Sequence, residues 1–106
     1  MAKEDFAHLF AVHGPASFRR MFGGTAIYIG SRIVGMELAG DLLIKGDLQT
    51  RGAYEGGGLK QWGYSHAKTG KQVMMPYWVL PPAALDDHDQ MEIWAGLAWQ
   101  VAIRAK

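Results

Sequence analysis

Thr25-Ala26-Ile27-Tyr28-Ile29-Gly30-Ser31-Arg32-Ile33-Val34-Gly35-Met36-Glu37-Leu38-Ala39-Gly40-Asp41-Leu42-Leu43-Ile44-Lys45 is the stretch on which the fold turns. The first of its three apolar runs, Thr25–Ile29, is rich in β-branched and aromatic residues, and Gly30-Ser31 and Ala39-Gly40-Asp41 separate the runs as short turns. Strand-forming runs joined by such turns predict an antiparallel meander. Arg32 and Lys45 at strand ends place charge where an open sheet edge needs it.

Upstream, Phe6, Leu9, Phe10 and His13 recur at i, i+3, i+4, i+7. That spacing predicts a helix over 3–13 of about three turns, closed by Gly14-Pro15. Ser17-Phe18-Arg19-Arg20 reads as a basic connector into the meander. Downstream, Asp47 suits the N-cap of a short helix running to about Tyr54, ended by the flexible Gly56-Gly57-Gly58. Gln61-Trp62-Gly63-Tyr64-Ser65 and Gln72-Val73-Met74-Met75 flank a polar loop and predict a second hairpin. Pro76 lacks a donor and marks the end or edge of its second strand. A last helix occupies about 89–105, with Asp87/Gln90 or Asp89/Glu92 as a capping box and Arg104 and Lys106 facing the negative end of its dipole.

The order is α-β-β-β-α-β-β-α in a single domain over 1–106, and helices segregated from hairpins predict a two-layer α+β fold with an antiparallel sheet. On the last helix, Met91, Trp94, Ala98, Val101 and Ala105 form one stripe, widened by Ala95, Trp99 and Ala102. Ile93 and Leu97 fall on the other side. A helix on one face of a small sheet buries a stripe and not its circumference, so these two residues are either incidentally exposed aliphatics or, the reading favoured here, a homodimer contact.

Composition narrows the function. The chain has 106 residues, 49% hydrophobic and 20% charged, with no cysteine and a net charge of +1. This is globular usage, and it excludes disulfides, thiolate metal sites and cysteine nucleophiles. Near-neutral charge argues against direct nucleic-acid binding through bulk phosphate neutralisation. No apolar run reaches the length of a membrane span, and Met1-Ala-Lys-Glu-Asp lacks a signal peptide's core, so a soluble cytoplasmic protein is expected. His8 and His13 sit about 140° apart on their helix and cannot share a metal. The aspartates beside His88 are explained by capping. Gly-x-Ser-x-Gly and His-Glu-x-x-His are absent. We therefore expect no catalytic residue, metal or cofactor.

Arg20-Met21-Phe22-Gly23-Gly24-Thr25-Ala26-Ile27-Tyr28 resembles the Met-Phe-Gly-Gly-x-x-x-Tyr motif of the N-terminal domain of the TfoX/Sxy family, bacterial regulators of competence genes. Leu42-Leu43-Ile44-Lys45 followed by Asp47, Trp62-Gly63-Tyr64, Met75-Pro76-Tyr77-Trp78, and Trp94 with Ala98 extend the likeness over nearly the whole chain. The resemblance implies the same element order, a bacterial cytoplasmic protein and a part in transcriptional regulation without established enzymatic activity. It also implies a single-domain member, since the family's C-terminal helical domain is lacking. Gly46 stands where a bulkier residue is usual in the family and is expected to loosen the strand–helix junction.

Read physically, Gly23-Gly24 lets the chain swing into the sheet, and Met21 and Phe22 are expected to fill the space between the first helix and that sheet. The leading functional reading is a non-catalytic, dimer-forming module acting through an unidentified protein partner. Its contact candidates are Arg19, Arg20, Phe22, Tyr28, Trp78, Ile93, Trp94 and Leu97. One rival is a nucleic-acid accessory module using Arg19, Arg20, Lys60, Lys68 and Lys71, with Phe22, Trp62 and Tyr64 to stack on bases. Another is a small-molecule binder with a pocket between the sheet and Tyr77-Trp78.

Overall fold

The three-run stretch folds as its turns dictate. In the computed structural model, which describes residues 1–105, β2 (Gly24–Ile29), β3 (Arg32–Leu38) and β4 (Asp41–Lys45) form the meander. Before them come α1 (Lys3–His8), a 3-10 turn (Ala11–His13) and β1 (Ala16–Met21). After them come α2 (Arg51–Gly56), β5 (Lys60–Ser65), β6 (Gln72–Val79), α3 (Pro82–Leu85) and α4 (His88–Ala105). The result is α+β: one open six-stranded sheet, order β1-β2-β3-β4-β6-β5, with all neighbours antiparallel.

All four helices lie on one face. Phe6, Ala7, Phe10, Tyr54, Ala84, Met91, Ala95 and Ala98 pack there against Ile27, Ile29, Val34, Leu42, Ile44, Trp78 and Leu80 in the main core. The cap of α4 is Asp87, whose Oδ1 accepts the Gln90 N–H at 3.1 Å, while the Gln90 amide donates to Oδ2 at 3.1 Å. Glu92 instead faces His88 across one turn, 3.0 Å from its Nε2. Arg104 reaches out of its helix to Asp47, donating from Nε to Oδ2 at 2.9 Å and from Nη2 to Oδ1 at 3.1 Å. Lys106 lies outside the described residues.

Several expectations need correction. Ser17-Phe18-Arg19-Arg20 is not a connector but most of β1. As an edge strand it is exposed from Ala16 to Arg20, so it carries no alternating apolar signature. The first helix ends at His8, because Leu9 and Phe10 donate to Phe6 and Ala7 in 3-10 fashion. Tighter winding turns His13 off the buried stripe, and its ring stacks on Trp99 at 4.4 Å.

Asp47 caps the turn before α2 rather than the helix, its Oδ1 accepting the N–H groups of Gln49 and Thr50 at 3.0 and 3.1 Å. Gly57 is not loose, since a Cβ there would stand 2.6 Å from Cζ2 of Trp94. Gly46 tightens its junction instead of loosening it: a Cβ would lie 2.6 Å from Cε3 and Cζ3 of Trp78 and 2.8 Å from Cε2 of Tyr54. Pro76 does not end its strand. β6 sets Met75, Pro76 and Tyr77 opposite the single Trp62, a bulge that spares the missing donor. Gln61 satisfies the freed carbonyl, its Nε2 donating to Met75 O at 3.0 Å.

Leu97 packs against the main core, so the apolar excess on α4 is smaller than its sequence suggests. Of the Ile93/Leu97 pair only Ile93, 62% exposed, remains at the surface.

Candidate functional site

The helix-free face of the sheet has a core of its own. Met36, Leu43 and Tyr77 are buried there, with Met21, Ile33, Leu38, Trp62, Met75 and Val79 packed against them. No helix covers them; the sheet covers itself. Five strand spacings of about 4.8 Å would hold β1 and β5 roughly 24 Å apart in a flat sheet. Yet the Phe22 ring, at the tip of the β1–β2 hairpin, lies 5.4 Å from Trp62 and 5.9 Å from Tyr64 on β5. Twist and curl therefore carry the Met-Phe-Gly-Gly tip across the bare face onto the far edge strand. This corrects the expectation for Met21 and Phe22, which lie on the side of the sheet away from α1.

Local geometry at that tip is strained. Met21 pairs with Gly24, leaving Phe22-Gly23 as a two-residue loop with φ of 53° and 78°. Positive φ at both central positions is the type I′ pattern, where Asn-Gly is the favoured pair. A phenylalanine in the left-handed region costs on the order of 1 kcal/mol. Gly24 serves differently: its missing side chain admits the backbone carbonyl of Glu37, which a Cβ would strike.

Phe22 is 45% exposed and Tyr64 38% exposed, and Trp62, whose ring lies 5.8 Å from Tyr64, is half-buried between them. Alternation along β5 places Lys60 on the same face. Further along that face, the Arg19 guanidinium sits 5.1 Å from the centre of the Tyr28 ring. Lys45 stands opposite Tyr77 in the β4–β6 ladder. Burial, and then the proximity of Tyr28, push the Tyr77 hydroxyl up to about 12. Arg20, Phe22, Gly23, Thr25 and Glu37 line a recess of about 330 Å3 beside the tip. The arrangement is a ridge of partly wetted rings flanked by cations.

The remaining candidates separate. Trp78 is 3% exposed; its Nε1 donates to Glu55 Oε2 at 3.2 Å and its ring meets Tyr54 at 5.7 Å, so it offers a partner almost no surface. Trp94 is half-buried, edge-on to Tyr54 at 5.8 Å, and its Nε1 is buried with no acceptor among the described residues. Ile93 is on the helix side, remote in the fold from the Phe22 ridge. Tyr77 and Trp78 point to opposite faces, as adjacent strand residues must, so one pocket cannot have both as walls. Lys68 and Lys71 lie in the β5–β6 turn. Among the described residues no group of three His, Cys, Asp or Glu side chains is gathered to hold a metal, and no helix is long and apolar enough to cross a membrane.

Sequence reading grouped Phe22, Trp62 and Tyr64 as rings beside a basic surface, and the structure does bring the three together. It missed the sheet curl that does so, and it missed Lys45 opposite Tyr77. Compared with known proteins, the chain matches the model of the TfoX N-terminal domain over residues 8–102. No curated protein matches it.

Proposed function

The chain belongs to the TfoX N-terminal domain family and is a competence-regulator-like domain at that level, and from this premise we propose that it is a regulatory module that grips another polypeptide and performs no catalysis itself. The observation that carries this reading is Phe22. A large ring is kept in a backbone conformation that suits asparagine better, at an exposed hairpin tip, leaning on Trp62 and Tyr64. Strain of this kind collects where a surface is used. Exposed aromatics beside arginine are also the residues that dominate protein contacts. Arg19 and Tyr28 border the same ridge, while Arg20, next in the strand, points to the other face beside the hairpin tip.

Phe22→Asn keeps the turn chemistry and removes the ring. In cells carrying a photo-crosslinking residue at Tyr64, the wild-type protein should give a discrete crosslinked adduct that Phe22→Asn loses. An adduct of equal yield in both would refute the reading. Homodimerisation is a separate proposal, built on Ile93 with the half-exposed Ile103 on α4. Sedimentation equilibrium at micromolar concentration should show a dimer that Ile93→Glu dissociates; a wild-type monomer throughout would end it.

A further inference from the structure

The two edges of the sheet are finished differently. β5 has its ladder interrupted by the β6 bulge at Pro76 and has α2 beside it. β1 has neither protection. Its register with β2 runs from Ala16↔Ile29 to Met21↔Gly24 without a shift. Its other side is therefore a flat row of unpaired N–H and C=O groups six residues long. α1 packs chiefly over β2, leaving Ala16 to Arg20 exposed. Between α1 and this strand runs a groove of about 610 Å3 lined by Glu4, Ala7, His8, Ala11, Ala16 and Phe18, the last 40% exposed.

Charge at this edge selects its occupant. Arg19 and Arg20 lie in the strand, and Lys3 Nζ stands 6.0 Å from the centre of the Phe18 ring. In the groove Glu4 is held by Lys3 at 3.2 Å, and Glu37 lies two strands in, on the recess that Arg20 also lines. If β1 paired with β1 of a second copy about an axis through its centre, Arg19 would stand opposite Phe18 and Arg20 opposite Ser17, with Arg19 of each copy diagonal to Arg20 of the other. Long like-charged side chains still reach each other on that diagonal and disfavour the ladder. An acidic strand meets the reverse situation.

We propose that β1 is a docking edge for an extended acidic segment of another protein, which adds to the sheet as a seventh strand. Backbone bonds to β1 supply the affinity, and side chains supply selection. A small apolar residue opposite Phe18 enters the groove beside Ala7 and Ala11, and carboxylates fall opposite Arg19 and Arg20. This surface shares Arg19 with the Phe22 ridge but holds its partner through the β1 backbone, which the ridge does not use.

The test uses a fluorescein-labelled peptide of about eight residues carrying a Val next to a consecutive Glu-Glu pair, titrated with the full chain and read by anisotropy. Strand addition predicts binding that weakens with salt and falls about tenfold in the exposed double variant R19E/R20E. Methylating the peptide nitrogens at every second residue should abolish binding in one phase of the alternation and spare it in the other, a readout that needs no protein variant. Amide chemical shifts should change along Ala16 to Met21. No binding, equal tolerance of both methylated peptides, or shifts confined to Phe22, Trp62 and Tyr64 would overturn the proposal. The last result would leave the Phe22 ridge as the sole docking surface.

Discussion

Gly46→Ala is the substitution whose cost follows most directly from the packing. The added methyl would sit 2.6 Å from two carbons of the Trp78 ring and 2.8 Å from a carbon of Tyr54, where carbon–carbon contact is comfortable near about 3.5–4.0 Å. One of the rings must retreat by about 1 Å, and neither is free to. Trp78 is tied through Nε1 to Glu55, and the Tyr54 hydroxyl donates to Lys45 O at 2.8 Å. Both side chains are buried in the main core.

Overpacking of this kind costs about 1–3 kcal/mol, and weakening one of these hydrogen bonds adds about 1 kcal/mol. Alanine's smaller unfolded-state entropy returns about 0.4–1 kcal/mol. The net expectation is a loss of about 2–3 kcal/mol, or a fall in Tm on the order of 10 °C for a domain of this size. Urea denaturation followed by tryptophan fluorescence measures it. Gly96→Ala is the control, because a Cβ at that exposed α4 position meets nothing within 4 Å. It should gain about 0.5–1 kcal/mol. Equal stability of Gly46→Ala and wild type would refute the close-packing argument.

Two predictions concern pH. The Arg104 guanidinium, helped by the Thr50 N–H, holds the Asp47 carboxyl below the usual carboxylate range. The stability from this pair is present above the unfolded value of about 3.9 and is lost as pH falls through the lowered folded value. Arg104→Gln should therefore cost on the order of 1 kcal/mol at neutral pH and almost nothing at pH about 2, measured by denaturation at both. An equal cost at both values would contradict the ion pair. At the alkaline end, Tyr77 ionises near pH 10 in the unfolded chain and only at about 12 in the folded one. Its neutral form stabilises the fold below pH about 10, and that contribution, about 2–3 kcal/mol, drains away as pH rises toward about 12. Tyr77→Phe should flatten this decline, leaving the part due to Tyr54, whose hydroxyl burial also pushes above its ordinary value. An unchanged slope would count against the burial of Tyr77.

What the sequence made legible was what neighbours along the chain determine. Gly30-Ser31 and Ala39-Gly40 sit between apolar runs, so the meander could be read directly. Asp87 and Gln90 are three apart at a helix start, and they cap it. The misses come from neighbours far along the chain. β1 is wetted on both faces and leaves no periodic trace. Leu97 looked surplus because a helical wheel shows one packing partner, whereas α4 meets the sheet and α3. Gly46 looked like a weakness because nothing local announces the ring of Trp78. Phe22 was picked out correctly as a motif residue but placed on the wrong face, since only the curl of the assembled sheet brings it to Trp62 and Tyr64. Tyr77 and Trp78 are a different kind of miss: strand alternation alone separates them.

The stability of Phe22→Asn in urea bears most directly on whether the hairpin tip is kept for contact rather than for folding. Relief of left-handed strain should offset the lost ring packing, leaving the variant within about 1 kcal/mol of wild type. A loss of about 3 kcal/mol, the scale of a removed core aromatic, would mean that Phe22 belongs to the scaffold and that the ridge was never free to bind.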